Sequence, residues 1–279
     1  MSDITNLIGQ AIAEDIGDGD HTSLATIPEE ATGKMKLLAK EDGIVAGVEI
    51  AKLVFEKIDP GLRIEVLITD GKPIKKDDIV FYVTGRCRSM LIAERTVLNF
   101  MQRLSGIATS TNEYVRQLEG TRARLLDTRK TTPNMRIFEK MAVVLGGGMN
   151  HRMGLYDMVM IKDNHVDFAG GIRQAIDAEH AYLARLGKIL KIEIEVRNFD
   201  ELDQVIKAGG VDRVMLDNFT PDNLKKAVEI IGGKFETEAS GGIKLENIRE
   251  YALTGVDFIS VGAITHHIKS LDLSLKAVK

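Results

Sequence analysis

The chain is poor in the residues that staple or punctuate a fold: one cysteine, no tryptophan and five prolines among 279 residues. A single cysteine, Cys87, excludes an intrachain disulfide, and in its strand-like setting it reads as an ordinary packing residue. No apolar run approaches the roughly 20 residues that a membrane-spanning helix needs. The first fifteen residues carry acids where a signal peptide would carry a basic segment. Positive charge is not in excess either: 37 Lys and Arg stand against 41 Asp and Glu, a net charge of −4, which argues against a general nucleic-acid binder. These absences predict a soluble, cytoplasmic protein with neither nucleic acid nor membrane as a partner.

What is present is apolar content of 44%, enough to bury one large core or two smaller ones. The stretch Gly146–His165, G-G-G-M-N-H-R-M-G-L-Y-D-M-V-M-I-K-D-N-H, organises the rest. Three glycines permit a sharp bend or close approach to a ligand, and His151 and Arg152 follow with little apolar periodicity around them. Met158–Ile161 then reads as a buried strand that ends abruptly in Lys162, Asp163, Asn164 and His165. Arg129, Lys130, Arg136, Lys140, His151, Arg152, Lys162 and His165 concentrate positive charge in one part of the chain. They form either a solvated basic face or a field focused on a small anion.

Asp3–Glu14 has the spacing of an amphipathic helix. In the segment after it, Asp18, Asp20, Thr22 and Glu29 fall at offsets 1, 3, 5 and 12 of a calcium loop, but Ser23 stands where that loop needs glycine and no exiting helix is evident. A turn capped by Asx and Thr side chains fits better. Residues 1–108 read as a small α+β unit: strands at Lys34–Lys40, Leu62–Ile68 and Ile79–Thr84, a helix at Val48–Ile58, and a second helix from about Ser89 to Ser105. Glu94 falls on the apolar face of that last helix and requires a buried partner or an interface, while Arg95 and Asn99 lie on its flank.

From 109 to 267 apolar β-prone runs end repeatedly in polar or glycine residues. Ala123–Leu126 leads into Asp127, Thr128, Arg129 and Lys130; Met158–Ile161 into Lys162; Leu190–Ile194 into Glu195; Arg213–Leu216 into Asp217; Phe235–Ala239 into Ser240, Gly241 and Gly242; Phe258–Val261 into Gly262. Helical stretches such as Phe199–Ala208 and Leu224–Ile231 separate them, at a spacing of about 22 residues in the last units, as parallel βα units require. Functional groups at six strand ends favour a barrel, because closure gathers every end around one mouth, whereas an open doubly wound sheet gathers ligands at one switch point.

At such a mouth Glu195 and Asp217 suit Mg²⁺ with a phosphate ligand, or else cap the following helices. Ser240, Gly241 and Gly242, with Val261, Gly262 and Ala263, offer small residues and exposed N–H groups of the kind that bind phosphate. Arginines grip carboxylates bidentately and lysines act as point charges on phosphate, while His151 and His165 fit either a ligand or a structural role. The set points to phosphate-ester or pyrophosphate chemistry.

L-D-T-R-K-T-T-P at Leu126–Pro133, G-G-G-M-N-H-R at Gly146–Arg152, I-K-D-N-H at Ile161–His165, Glu195-Val196, L-D-N at Leu216–Asn218, E-A-S-G-G-I at Glu238–Ile243 and S-V-G-A-I-T-H at Ser260–His266 occur in order. Together they resemble the quinolinate phosphoribosyltransferase family, the decarboxylating type II phosphoribosyltransferases of NAD biosynthesis. The resemblance implies an N-terminal α/β sandwich joined by the C-terminal end, about 268–279, an open α/β barrel (TIM-like), and a homodimer in which Arg95 of one subunit completes the site of the other. It implies that Arg95, Arg129, His151 and Arg152 hold the two carboxylates of quinolinate and that Thr128 lies beside them. Lys130 and Lys162 would approach phosphoribosyl pyrophosphate, Glu195 and Asp217 would bind Mg²⁺ and ribose hydroxyls, and the Ser240–Gly242 and Val261–Ala263 loops would hold the 5′-phosphate with His266 in support. One departure stands out: T-T-P continues with Asn134, Met135 and Arg136 where the family has Gly-Leu-Arg, and Asn can adopt the left-handed conformation of that glycine. Nicotinate phosphoribosyltransferase, with one carboxylate to bind, and a Schiff-base lyase or aldolase using Lys162 are the alternatives.

Overall fold

Leu7, Ile8, Ala11 and Ile12 recur at helical spacing, and the chain opens as helix α1 (Ser2–Ile16) in the computed structural model, which describes residues 2–278. Asp20 then accepts a hydrogen bond from Ser23 N–H at 3.1 Å and caps the short helix α2 (His21–Thr26). The Asx cap expected in this turn is therefore present, and a helix does leave it. Six residues are too few for periodicity to reveal that helix in the sequence.

Strands β1 (Thr32–Ala39) and β2 (Gly43–Ile44), helix α3 (Val48–Ile58), strands β3 (Arg63–Val66), β4 (Pro73–Ile74) and β5 (Ile79–Arg86), and helix α4 (Cys87–Gln117) follow. Helix α4 continues well past Ser105, although Thr109–Thr111 are weak helix formers. Two of its hydroxyls tie it to a neighbour instead. Ser105 Oγ and Thr109 Oγ1 accept from the backbone N–H groups of Ala46 and Ile44 and so hold the β2 segment on the helix. Glu94 is only half-buried, so the expected cost of a buried carboxylate does not arise.

Next come strand β6 (Arg124–Leu126), helix α5 (Arg136–Leu145), strand β7 (Val159–Ile161), helices α6 (Asp163–Ala169) and α7 (Ile172–Leu186), strand β8 (Ile192–Val196) and helix α8 (Phe199–Ala208). The chain ends with strand β9 (Arg213–Asp217), helix α9 (Pro221–Ile231), strand β10 (Glu236–Ser240), helix α10 (Ile248–Ala252), strand β11 (Phe258–Ser260), helix α11 (Ala263–His266) and strand β12 (Leu273–Ala277).

The chain divides into two compact units. The first comprises residues up to Asn112, Thr132–Gly147, and residues from His267 onward; the second comprises Glu113–Thr131 and Gly148–His266. The boundary thus falls inside α4, a little beyond the 108/109 division read from the pattern, and α5 belongs to the first unit although sequence order suggests the barrel. The reason is packing on α4. Buried Glu139 accepts from Arg103 Nε at 2.8 Å and Nη2 at 2.6 Å, Arg103 Nη2 also donates to Thr132 Oγ1, and the Phe138 ring lies 5.0 Å from that of Phe100. Gly146, read above as part of a ligand loop, instead lies against Ala108 and Thr111 of α4 and accepts from Asn112 Nδ2 at 3.3 Å.

In the first unit an antiparallel sheet runs β12-β1-β5-β3. Leu37, Phe81, Val83 and Leu275 are buried with Phe55 of α3, whose ring meets Phe81 edge-on at 6.0 Å. Each such side chain contributes roughly 1.5–3 kcal/mol by leaving water.

The second unit is a six-stranded parallel sheet in the order β7-β8-β9-β10-β11-β6. Five consecutive strands are neighbours in sequence order, and the sixth place goes to the earliest strand. That cyclic order belongs to a barrel, and not to a doubly wound sheet, whose order reverses at a switch point. Met149 adds a parallel bridge on the free side of Leu126, giving an open α/β barrel.

Asn134 has φ of 63°, so it does adopt the left-handed turn. Asn134→Val should therefore lower stability by about 1–2 kcal/mol, while Asn134→Gly should stay within about 0.5 kcal/mol, measured as thermal-unfolding shifts.

Candidate active site

Parallel register determines what the barrel interior contains. Residues two apart on a strand share a face, so Glu193 and Glu195 on β8, Arg213, Met215 and Asp217 on β9, and Glu236, Glu238 and Ser240 on β10 all project to one side. Asp217 pairs with Ser240, Ile161 pairs with Ile194, and Lys162 and Glu195 therefore stand at the same level near the C-terminal rim. Sequence reading puts Glu195 after its strand; it lies within the strand, one residue before the end.

At the rim Lys162 Nζ lies 3.3 Å from Glu195 Oε2. Burial raises the pKa of Glu195, Lys162 opposes that rise, and the charge of Asp217 adds to it. Asp217 is likewise raised by burial, against a hydrogen bond from Asn218 Nδ2 at 2.7 Å and the charges of Lys162 and Lys130. Two half-buried acids, the charge of Asp217 opposing ionisation of Glu195, with lysines beside them, form a donor set suited to a divalent cation and a phosphate ligand. His165 does not join them: its Nδ1 accepts from Lys162 N–H at 2.9 Å and holds the start of α6.

Two loops border this group. Asn218, in the left-handed region at φ 56°, hands its N–H to Ser240 O at 2.8 Å and packs directly on Gly241. Gly241 itself has φ of 93°, and a Cβ there would stand 2.9 Å from the Asn218 nitrogen. A Cβ on Gly262 would come 2.9 Å from Lys130 Cδ and 3.0 Å from His266 Nε2, so glycine lets the lysine and His266 close on that loop. Thr265 Oγ1 donates to Lys130 O at 2.8 Å, and Lys130 N–H donates to Thr128 Oγ1 at 3.0 Å. Val261 N–H is taken by Leu126 O at 3.0 Å.

A second cationic group comes from Arg129 and Arg152. Arg152 donates to Met158 O at 3.2 Å, and its pKa is held down first by burial and then by the Arg129 charge. A half-buried guanidinium disfavoured by a second one nearby creates a place suited to an anion.

His151 sits beneath this pair and not beside it. The segment Gly148–His151 runs along β6, with Met149 N–H donating to Leu125 O at 2.9 Å and His151 N–H to buried Asp127 Oδ1 at 2.8 Å. This tucks the ring into the interior at 7% exposure. Its Nδ1 accepts from Arg152 N–H at 2.7 Å, and its Nε2 lies 2.9 Å from Glu193 Oε2 and 3.4 Å from Glu238 Oε2. Both ring nitrogens face protein groups, so the contact to a substrate carboxylate expected of His151 is not available in this arrangement. Burial works against a charged ring, but the two acids raise His151 to about 9. The Arg152 N–H at Nδ1 opposes a second ring proton there, so the ring proton sits on Nε2, facing Glu193 and Glu238; burial, with the Glu238 charge, pushes Glu193 up to about 7.

Glu193, Glu238 and Arg213 escape a sequence reading. Arg213 bonds Glu238 Oε2 at 2.9 Å and Glu236 Oε2 at 3.0 Å and lies 4.0 Å over the Phe258 ring. The signal in the sequence is acids at alternate positions of a strand-like run, in I-E-I-E-V and again in F-E-T-E-A. Arg95 is exposed on α4 in the first unit.

Comparison with known proteins gives the arrangement its family. Residues 20–105 match the model for the N-terminal domain of quinolinate phosphoribosyl transferase, and 107–276 the model for its C-terminal domain. The chain is 44% identical to quinolinate phosphoribosyltransferase [decarboxylating] 1b of Nicotiana tabacum, over 98% of the chain and 82% of that protein. It is 40% identical to a probable nicotinate-nucleotide pyrophosphorylase [carboxylating] of Bacillus subtilis, over 98% and 92%. The solved structure of the nicotinate-nucleotide pyrophosphorylase from Francisella tularensis superposes with a TM-score of 0.93 at 42% identity, covering 99% of this chain and 96% of that one. With both domain models matched end to end and the barrel of a solved relative reproduced, this chain belongs to the quinolinate phosphoribosyltransferase family.

Proposed function

We propose that the chain transfers the phosphoribosyl group of phosphoribosyl pyrophosphate to quinolinate with loss of CO₂, giving nicotinate mononucleotide and pyrophosphate in NAD biosynthesis. The observation that carries the assignment to a dicarboxylate is the Arg129–Arg152 pair, in which the half-buried Arg152 guanidinium lies within the field of the Arg129 charge. Lys130 and Lys162 serve the phosphates of the donor, and the Ser240–Gly242 and Val261–Ala263 loops, backed by His266, serve the 5′-phosphate. Glu195 and Asp217 would hold Mg²⁺ and the ribose hydroxyls; their mutual charge and raised pKa values suit a divalent cation, which when bound neutralises charge on the departing pyrophosphate.

In this reading the pyridine nitrogen lone pair forms the bond to ribose C1 as the C1–oxygen bond to pyrophosphate breaks. The pyridinium so formed accepts the electron pair left when the 2-carboxylate departs as CO₂, and a proton then replaces it at that carbon. No protein nucleophile takes part; the residues orient two anions and stabilise charge, which are proximity and electrostatic effects. A lyase using Lys162 fits poorly, because that lysine is half-exposed and paired with Glu195, whereas a Schiff-base lysine needs desolvation.

The homodimer, with Arg95 of one subunit completing the partner's site, belongs to the same proposal, and the exposure of Arg95 supports it. The proposal takes a cytoplasmic location, supported by the single cysteine. Among the described residues no helix is long and apolar enough to cross a membrane.

Three measurements check this. Purified protein supplied with Mg²⁺, phosphoribosyl pyrophosphate and quinolinate labelled in the 2-carboxylate should release labelled CO₂ and nicotinate mononucleotide in equal amounts, and should leave nicotinate unused; turnover of nicotinate alone would remove quinolinate as substrate. Gly241→Ala, forced against Asn218, should raise KM for phosphoribosyl pyrophosphate about tenfold or more, roughly 1.4 kcal/mol, while leaving quinolinate binding near its starting value. Mixing inactive Arg95→Ala with inactive Lys162→Ala should recover about a quarter of wild-type activity if sites are shared across a two-fold interface, and none if each site lies within one chain.

A further inference from the structure

The buried polar groups of the barrel interior form a cluster that spans two register steps beside and below Glu195. Glu193 pairs in register with Arg213, and Arg213 with Glu236, while Glu238 lies two residues further along β10. Glu193 and Glu238 are fully buried. Among the described residues no backbone N–H or hydroxyl bonds the Glu193 carboxylate, so its compensation comes from the imidazole 2.9 Å away and the nearby Arg213 charge. Two facing acids and a histidine have the spacing of a metal-ligand set. Arg213 Nη1, at 2.9 Å from the Glu238 oxygen that also faces His151, already supplies a cation to that cluster.

The cluster is connected to the substrate side through one ring. Nε2 of His151 is held from below by the two acids, the residue's own N–H is held by Asp127 Oδ1, and its Nδ1 receives the N–H of Arg152. A residue fixed at both ring nitrogens and at its backbone N–H fixes the backbone of the next residue, and that residue carries the guanidinium beside Arg129. We propose that His151 is a positioning residue that does not touch the pyridine: Glu193 and Glu238 lock its orientation, and it in turn sets the backbone of Arg152 so that the guanidinium is presented to the substrate carboxylates. This rests on the quinolinate reading and adds to it that the dicarboxylate is gripped by arginines alone, with Glu193, which lies out of reach of any ligand, contributing to substrate affinity through the ring.

The decisive variant is Glu193→Gln, which keeps the volume and removes the charge that holds Nε2. It should weaken quinolinate binding about tenfold, measured by titration calorimetry, with KM for phosphoribosyl pyrophosphate changed less than about twofold. His151→Asn, whose Oδ1 can replace Nδ1 as acceptor for Arg152 N–H, should retain quinolinate affinity within about threefold, while His151→Leu loses at least about tenfold. ¹⁵N spectra of the ring should show Nε2 protonated and Nδ1 accepting, both unchanged when quinolinate is added. Unaltered quinolinate affinity in Glu193→Gln, equal loss for both substrates, or a change of ring protonation on adding quinolinate would overturn the proposal. If the wild-type protein binds no quinolinate, the substrate assignment has failed and the positioning role is read separately: Glu193→Gln should still shift the Arg152 amide resonance of the ligand-free protein, and an unmoved amide would overturn it.

Discussion

Two carboxylates buried inside a parallel sheet would, if left alone, oppose folding by several kcal/mol each. Their compensation by Arg213 and the His151 ring is the constraint on which the upper half of the barrel depends. Because residues two apart on a strand share a face, Glu193 and Arg213 stand one register step below Glu195 and Glu238, and Asp217 stands one step above. The same strands therefore carry both structural charge and chemical charge.

At the rim the charges are arranged in tension, not in balance. The Arg129 charge opposes that of Arg152, the Asp217 charge opposes that of Glu195, and Lys162 relieves only part of the second repulsion. In the proposed reading a dianionic pyridine would relieve the first repulsion and a metal-bound pyrophosphate the second, so that binding would draw on repulsion built into the site. The arginines must still let one carboxylate leave as CO₂. A grip that relaxes as charge moves from that carboxylate into the ring meets this condition, because it favours the transition state over the bound dianion.

Repetition makes the barrel legible in the sequence: six apolar runs ending in polar or glycine residues, with helices at regular intervals, need no long-range information to recognise. Rim residues are legible for the same reason, since strand ends coincide with the end of apolar character. Glu195 reads one residue out of place because I-E-I-E-V has the form of a half-exposed alternating strand, and only the closed order of strands shows both glutamates facing an interior. Glu193, Arg213 and the inward turn of His151 stay hidden for that reason; a charged side chain on a strand is ordinarily a solvated one. The place of helix α5 in the chain suggests the barrel, and it is the Glu139–Arg103 pair and the Phe138–Phe100 contact, side-chain events without a local pattern, that put it on α4.

Anomalous diffraction from crystals grown with Mn²⁺, quinolinate and an inert phosphoribosyl pyrophosphate analogue tests the site most directly. The account predicts manganese between Glu195, Asp217 and the pyrophosphate, with both pyridine carboxylates on Arg129 and Arg152 and His151 still turned toward Glu193. Manganese seated instead among His151, Glu193 and Glu238, or a pyridine carboxylate bonded to the His151 ring, would contradict it.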